Sequence, residues 1–178
     1  YQRGVPPHAT YQFKHALIQE AAYASLLRST RRYYHHRIAQ VLTTQFPDTV
    51  ETQPELVAYH YTEAGLHEQA IAYWQQAGQG AQERSAHEEA VANFNKGIES
   101  LMALPESRER DQQELTLCID LGKSLTTTKG WAGPEAEAAY VRAWELCQRT
   151  GNTSQLISVL WGYSQVSIVR ADLRKHRE

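Results

Sequence analysis

The 178-residue sequence holds two cysteines, Cys118 and Cys147, and they are too far apart for a zinc-binding spacing. No H-E-x-x-H motif and no Cys/His cluster accompanies its eight histidines, so no metal site is expected. His35 and His36 are adjacent and point to different sides of a helix, while His60 and His67 straddle the turn at Gly65. Excess charge of either sign is missing as well. The net charge is −2, which gives no broad pull toward nucleic acid or a membrane surface. No apolar run approaches the length of a membrane span, and no signal peptide is visible. Each cysteine falls on the apolar side of a predicted helix, so buried free thiols in a reducing, cytoplasmic setting are expected. The motifs of common chemistries are absent too. There is no G-x-S-x-G nucleophile elbow and no G-x-x-x-x-G-K-[ST] phosphate loop. Carboxylate pairs such as Glu88-Glu89 read as solvated helix faces. Catalysis by this chain is therefore not expected, and neither is a cofactor within it. The chain starts at Tyr1 and ends in RKHRE, which reads as an excised piece of something longer.

What is present is helical periodicity. The stretch Thr52–Gln82, TQPELVAYHYTEAGLHEQAIAYWQQAGQGAQ, fits two short amphipathic helices joined at Gly65. Val57 and Ala58 precede Tyr61, and Ala70 precedes Trp74 and Ala77. Small residues at these places let antiparallel helices approach, and large ones fill the grooves beside them. The pattern matches W-x2-L-G-x2-Y followed by A-x3-F, the signature of the tetratricopeptide (TPR) hairpin. Its opening aromatic and closing proline are missing, with Pro54 in the aromatic's place. Thr52-x-x-Glu55 and Ser85-x-x-Glu88 have the form of capping boxes. Glycine at position 65 suits a left-handed helix stop.

Taken in order, residues 1–10 read as a loop, and Tyr11–Lys14 alternates like a short strand whose partner would lie in a missing N-terminal segment. Helices follow from His15 to about Arg28 and from about Thr30 to Phe46, where Pro47-Asp48 stops the second. After the 52–82 hairpin, AHEEAVANF repeats LHEQAIAYW, with Ala90 and Phe94 echoing Ala70 and Trp74. The offset is 20 residues, not the roughly 34 of a regular array. The helix at 67–84 must then be shared between two pairs. A long helix from Ser107 to about Thr127 carries Cys118, Leu121, Gly122 and Leu125 at the W, L, G and Y places. Ala136, Tyr140 and Ala143 recover the second half of the motif, and Gly151 caps that helix. A last helix from Thr153 to about Arg170 has Trp161-Gly162, and Ala171–Glu178 reads as the start of another. About eight helices give an all-α, TPR-like solenoid of antiparallel hairpins with a right-handed superhelix.

Two stretches carry a family resemblance. YQFKHALIQEAAYASLLRSTRRYYHHRIAQVL (11–42) resembles the segment closing the winged-helix region of bacterial STAND-type signalling ATPases, and KGWAGPEAEAAYVRAWELCQRTGN (129–152) resembles a TPR hairpin of the same proteins. The resemblance implies an AAA-like or NB-ARC-like ATPase before this chain, often with a class III adenylate or guanylate cyclase. It places residues 1–50 on the ATPase side and 51–178 in TPR-like repeats, the last truncated. ATP would bind in the parent protein, outside this chain. The chain would be a non-catalytic, regulatory scaffold in signal transduction. Its partner would be a protein or peptide, or the parent's own ATPase domain, and exposed solenoid ends would favour a homo-oligomer.

The TPR phase sets a concave groove lined by first helices of the hairpins. Glu55, Tyr59, Thr62 and Glu63 fall on it from one hairpin, and Ile119, Lys123, Thr126 and Thr127 from another. Val159, Tyr163 and Val166 come from the last helix. Tyrosine is a frequent energetic anchor of interfaces. The basic run Arg28, Arg31, Arg32, Arg37 with Tyr33 and Tyr34 has two readings: a nucleic-acid patch, or arginines facing solvent or an acidic neighbouring domain. The first would make the parent an ATPase-type transcription regulator touching DNA through its N-terminal helices. The second fits better with a chain that is not basic elsewhere.

Overall fold

The structure, a computed structural model, describes residues 2–3, 10–11, 15–131 and 133–175. Among these the chain is helical apart from two paired dipeptides. Strand β1 (Gln2–Arg3) lies antiparallel to β2 (Thr10–Tyr11), with Gln2 opposite Tyr11. The predicted strand at Tyr11 thus finds its partner nine residues upstream, not in a missing segment, while residues 12–14 lie outside the described set.

Nine helices follow among the described residues: α1 (Ala16–Ser25), α2 (Arg28–Gln45), α3 (Pro47–Thr52), α4 (Pro54–Ala64), α5 (His67–Glu83), α6 (His87–Met102), α7 (Arg108–Lys129), α8 (Pro134–Thr150) and α9 (Leu156–Lys175). The helix beyond the expected eight is α3. Pro47 stops α2, and its fixed φ also suits the first turn of a new helix. Residues 171–175 extend α9 instead of opening a further helix.

The turn chemistry corrects both expected capping boxes. Thr52 is the last residue of α3, and its hydroxyl donates to the Asp48 carbonyl at 2.7 Å. Gln53 takes the cap of α4 without a side-chain bond, because Pro54 already sets the first turn. Ser85 has φ 60°, a left-handed stop to α5, and the Ala86 N–H donates to the Ala81 carbonyl at 2.8 Å. That six-residue closure satisfies the end of α5 through backbone alone, so no capping hydroxyl is left for α6. The true side-chain cap is Ser107, whose Oγ accepts from the Arg110 N–H at 3.1 Å. Gly65 has φ 77° and ends α4 as the sequence predicts.

From α2 onward each helix packs on its neighbours in sequence, with α2 reaching past the short α3 to α4. α5 touches α4, α6 and α7, so it is shared between pairs, and α7 likewise touches α9. Ile71, Phe94, Leu101, Leu117, Leu121 and Leu125 form the main core between α5, α6, α7 and α8. Leu115, Cys118, Leu146 and Val159 continue it toward α9. Full burial of each large aliphatic or aromatic side chain contributes about 1.5–3 kcal/mol. The close approaches are made at glycines. A Cβ on Gly78 would lie 2.3 Å from the Phe94 ring, and one on Gly122 would lie 2.8 Å from the Tyr140 ring. Both cysteines are buried free thiols. Burial pushes the Cys118 thiol up to about 12, with the Glu114 carboxylate adding to the shift, so it stays protonated and unreactive.

The first and last helices expose apolar surface. No residue of α1 is buried, and Leu17 and Ile18 are 78% and 54% exposed. On α9, Ile157 and Trp161 stand out at 79% and 58%.

Candidate functional site

A groove of about 420 Å³ opens where the C-terminal half of α4 meets α5 and α6. It brings together three of the predicted residues, Tyr59, Thr62 and Glu63, with His67 and Trp74 from α5 and Lys96, Glu99 and Ser100 from α6. The Trp74 indole N–H donates to Thr62 Oγ1 at 3.0 Å, and the Thr62 hydroxyl donates to the Ala58 carbonyl at 2.9 Å. That chain locks the indole as a floor. Lys96 Nζ sits 4.6 Å from the centre of its ring, a cation–π contact worth about 0.5–1 kcal/mol at an exposed site. Ser100 Oγ and His67 Nδ1 are buried without a hydrogen-bond partner. The groove therefore combines an aromatic floor, two polar atoms with unused bonding capacity and a rim of two carboxylates and one ammonium.

The remaining predicted residues lie elsewhere. Glu55 lines a separate depression of about 360 Å³ with Gln76, Gln79 and Arg84. Ile119 is 4% exposed and packed with Leu115, Ala143 and Val159, so it is core and not groove. α7 is covered by α6, α8 and α9, which leaves it no free apolar stripe, and Val159 and Val166 of α9 are fully buried too, Val159 in the same cluster as Ile119. Lys123 Nζ pairs with Asp120 at 2.9 Å beside a polar seam between α5 and α7, where Gln82 Nε2 donates to the Asp120 carbonyl at 2.9 Å and to Ser124 Oγ at 2.7 Å. Thr126 returns its hydroxyl to the Lys123 carbonyl, and Thr127 does the same. Tyr163 is 40% exposed on α9.

A second constellation lies behind Tyr59 and ties α1, α2 and α4 together. His35 Nδ1 and His60 Nδ1 are 2.8 Å apart, His35 Nε2 is 3.0 Å from Tyr23 Oη, and the Tyr23 hydroxyl donates to Glu63 Oε2 at 3.4 Å. One set of tautomers satisfies every contact: His60 Nδ1–H donates to His35 Nδ1, and His35 Nε2–H donates to Tyr23 Oη. The Tyr59 ring closes edge-on against His35 at 5.6 Å between centroids. Sequence reading missed this relay, since its members are 12 to 40 residues apart and meet only through the register of α2 on α4.

Both imidazoles are held below the ordinary histidine value of 6.5. Burial is the main cause for each. Arg31 lowers His35 further and His35 lowers His60, while Glu63 opposes both. The folded state thus resists protons that the unfolded chain accepts. Stability is fully present above pH 6.5 and is lost as pH falls from there through the lowered folded values. Urea unfolding should give a lower midpoint at pH 5.5 than at pH 7.5. In a His35→Gln/His60→Gln variant that difference should shrink, and an undiminished difference would assign it to other groups.

No helix among the described residues is long and apolar enough to cross a membrane, and none of their His, Cys, Asp and Glu side chains cluster in threes as a metal site would need. The chain is similar to an uncharacterized protein of Rhizobium meliloti (strain 1021), 29% identical over 161 residues. The match covers 89% of this chain and 16% of that protein. No protein-family model and no solved structure matches.

Proposed function

We propose that this chain is a TPR-like, non-catalytic interaction segment of a larger bacterial signalling ATPase or nucleotide cyclase. The observation that carries the reading is the repeated seat of an aromatic ring on a glycine one helix earlier, Phe94 on Gly78 and Tyr140 on Gly122. In the first pair, Trp74-x-x-Ala77-Gly78-x-x-Ala81 stands ahead of Ala90-x-x-x-Phe94, which is the TPR spacing with alanines at two places. Trp74 therefore serves two registers, as the filler of the α4–α5 hairpin and as the opening aromatic of the α5–α6 pair. The similarity to one part of a much longer rhizobial protein supports a place within a multidomain chain.

In this reading the α4–α6 groove takes a protein segment, either from a partner or from the parent's own ATPase domain, in the cytoplasm. Regulation is a coupling free energy: whatever prefers one arrangement of segment and ATPase shifts the equilibrium by its differential affinity. ATP is bound by the parent and not by this chain, and the apolar faces of α1 and α9 join it to further repeats or to a second copy. The test is nucleotide turnover by the full-length parent carrying Tyr59→Asp, which places a charge at the groove without touching the core. A severalfold change in basal or stimulated turnover is expected. Unchanged turnover, or a parent gene with no phosphate-binding loop, overturns the reading.

A further inference from the structure

We propose that Arg28, Arg31 and Arg32, with Tyr23, form a binding site for a phosphomonoester-type dianion. A pocket of about 180 Å³ lies at the corner where α1 meets α2 and the end of α4, lined by these four residues and Glu63. Three guanidinium groups face one carboxylate there, an excess of two positive charges. None of the three guanidinium groups makes an ion pair or a hydrogen bond among the described residues, although the chain as a whole is slightly acidic. Such a concentration of like charge is costly unless an anion is there to receive it.

One of the three arginines is already held in place, and a second covers the neighbouring turn. Arg31 lies over the Tyr23 ring, 5.1 Å from its centroid, and its Nε is buried without an acceptor. The Arg32 guanidinium covers the α4–α5 turn, 2.7 Å from where a Cβ on Gly65 would stand. Tyr23 itself is fixed by His35 and Glu63. A forked guanidinium held in position binds a tetrahedral oxyanion through paired N–H donors with less ordering cost than a free one. The site also faces the start of the 18-residue α2, whose first N–H groups have no side-chain cap. The charge excess of two matches a phosphoryl dianion better than a single carboxylate or the monoanionic links of a nucleic acid. The ligand's source is either free phosphate or the terminal phosphate of a nucleotide.

The experiment is calorimetric titration of the full chain at pH 7.5 with inorganic phosphate and with a nucleoside 5′-monophosphate, against sodium chloride at matched ionic strength. Arg28 and Arg32 are exposed, so an Arg28→Gln/Arg32→Gln variant keeps its core, which circular dichroism would confirm. Phosphate is expected to bind the wild type, with affinity falling by at least about tenfold in the variant as two charge-assisted contacts are lost. A Lys96→Gln control, in the neighbouring groove, should bind as the wild type does. Equal affinity for the two ligands identifies free phosphate, and tighter binding of the monophosphate identifies a nucleotide. Heat no greater than with chloride, equal affinity in the Arg28/Arg32 variant, or preferential capture of duplex DNA through the same arginines would overturn the proposal. None of these outcomes bears on the regulatory reading of the α4–α6 groove, which uses none of the three arginines.

Discussion

Replacing Arg142 with alanine should destabilise the protein by about 3 kcal/mol, the low end of the range for breaking a buried ion pair. Glu114 on α7 is 2% exposed, deep enough that its carboxylate cannot be hydrated in place. Its charge is carried by Arg142 on α8 through a bidentate contact, Nε to Oε1 at 2.5 Å and Nη2 to Oε2 at 3.0 Å. The hydrogen bond to Glu114 also raises the Arg142 pKa well above its usual value, so the guanidinium stays charged. The low end applies because the arginine side chain is 35% exposed, which lets water screen part of the interaction. For a chain of this size the loss corresponds to a drop in melting temperature of about 6–12 °C. The cost belongs to the stranded carboxylate and not to the missing attraction. A Glu114→Leu/Arg142→Leu variant, which removes both charges and keeps apolar volume, should therefore recover most of the stability. Urea midpoints for Arg142→Ala and the double variant separate these contributions. A double variant as unstable as Arg142→Ala would mean that the pair itself, through its geometry, holds α7 on α8.

Glu114 also marks where sequence reading reached its limit. Local signals were legible because local chemistry decides them. Gly65 and Gly151 end helices in the left-handed conformation, Pro134 starts one, and the echo of Ala70/Trp74 in Ala90/Phe94 located a helix shared between two pairs. The capping boxes failed because a hydroxyl three residues before a glutamate is only an opportunity. At Ser85 the backbone had already closed the turn, and at Thr52 the residue belonged to the preceding helix. The site was half legible. Tyr59, Thr62 and Glu63 do share one groove, since all three ride on one helix whose phase the motif fixes. Lys96, Glu99 and Ser100 complete that groove from α6, and their arrival depends on how far α5 separates the two helices. Ile119 was misplaced because α7 has partners on more sides than a hairpin phase assumes. A central helix of that kind buries polar residues too, Glu114, Asp120 and Ser124 among them, and their burial hides the usual amphipathic stripe.

The largest effect is expected at Tyr140, where Tyr140→Ala should cost about 3–5 kcal/mol, the range for truncating a buried aromatic ring. The side chain is 2% exposed and lies between two glycines of different helices. A Cβ on Gly122 of α7 would come within 2.8 Å of the ring, and one on Gly162 of α9 within 2.1 Å. Trp131 stacks nearly parallel to the ring at 6.5 Å, and Trp161 meets Trp131 edge-on at 5.2 Å. One ring thus sets the spacing of three helices, and its loss would leave a cavity that three backbones must close together. The glycine substitutions test the same contact from the other side. Gly162→Ala should destabilise even though alanine favours a helix by about 1 kcal/mol over glycine, because the new methyl group enters space the ring occupies. Gly80→Ala, whose methyl group would meet only the flexible end of Arg84 at 3.4 Å, should instead be neutral or stabilising. Thermal unfolding followed by circular dichroism gives the order of the three variants. If the ring is the cause, adding Gly162→Ala to Tyr140→Leu should cost far less than adding it to the wild type. An equal cost in both backgrounds would place the strain in the α9 backbone instead, and the aromatic seat would then lose its role in fixing the helix spacing on which the repeat assignment depends.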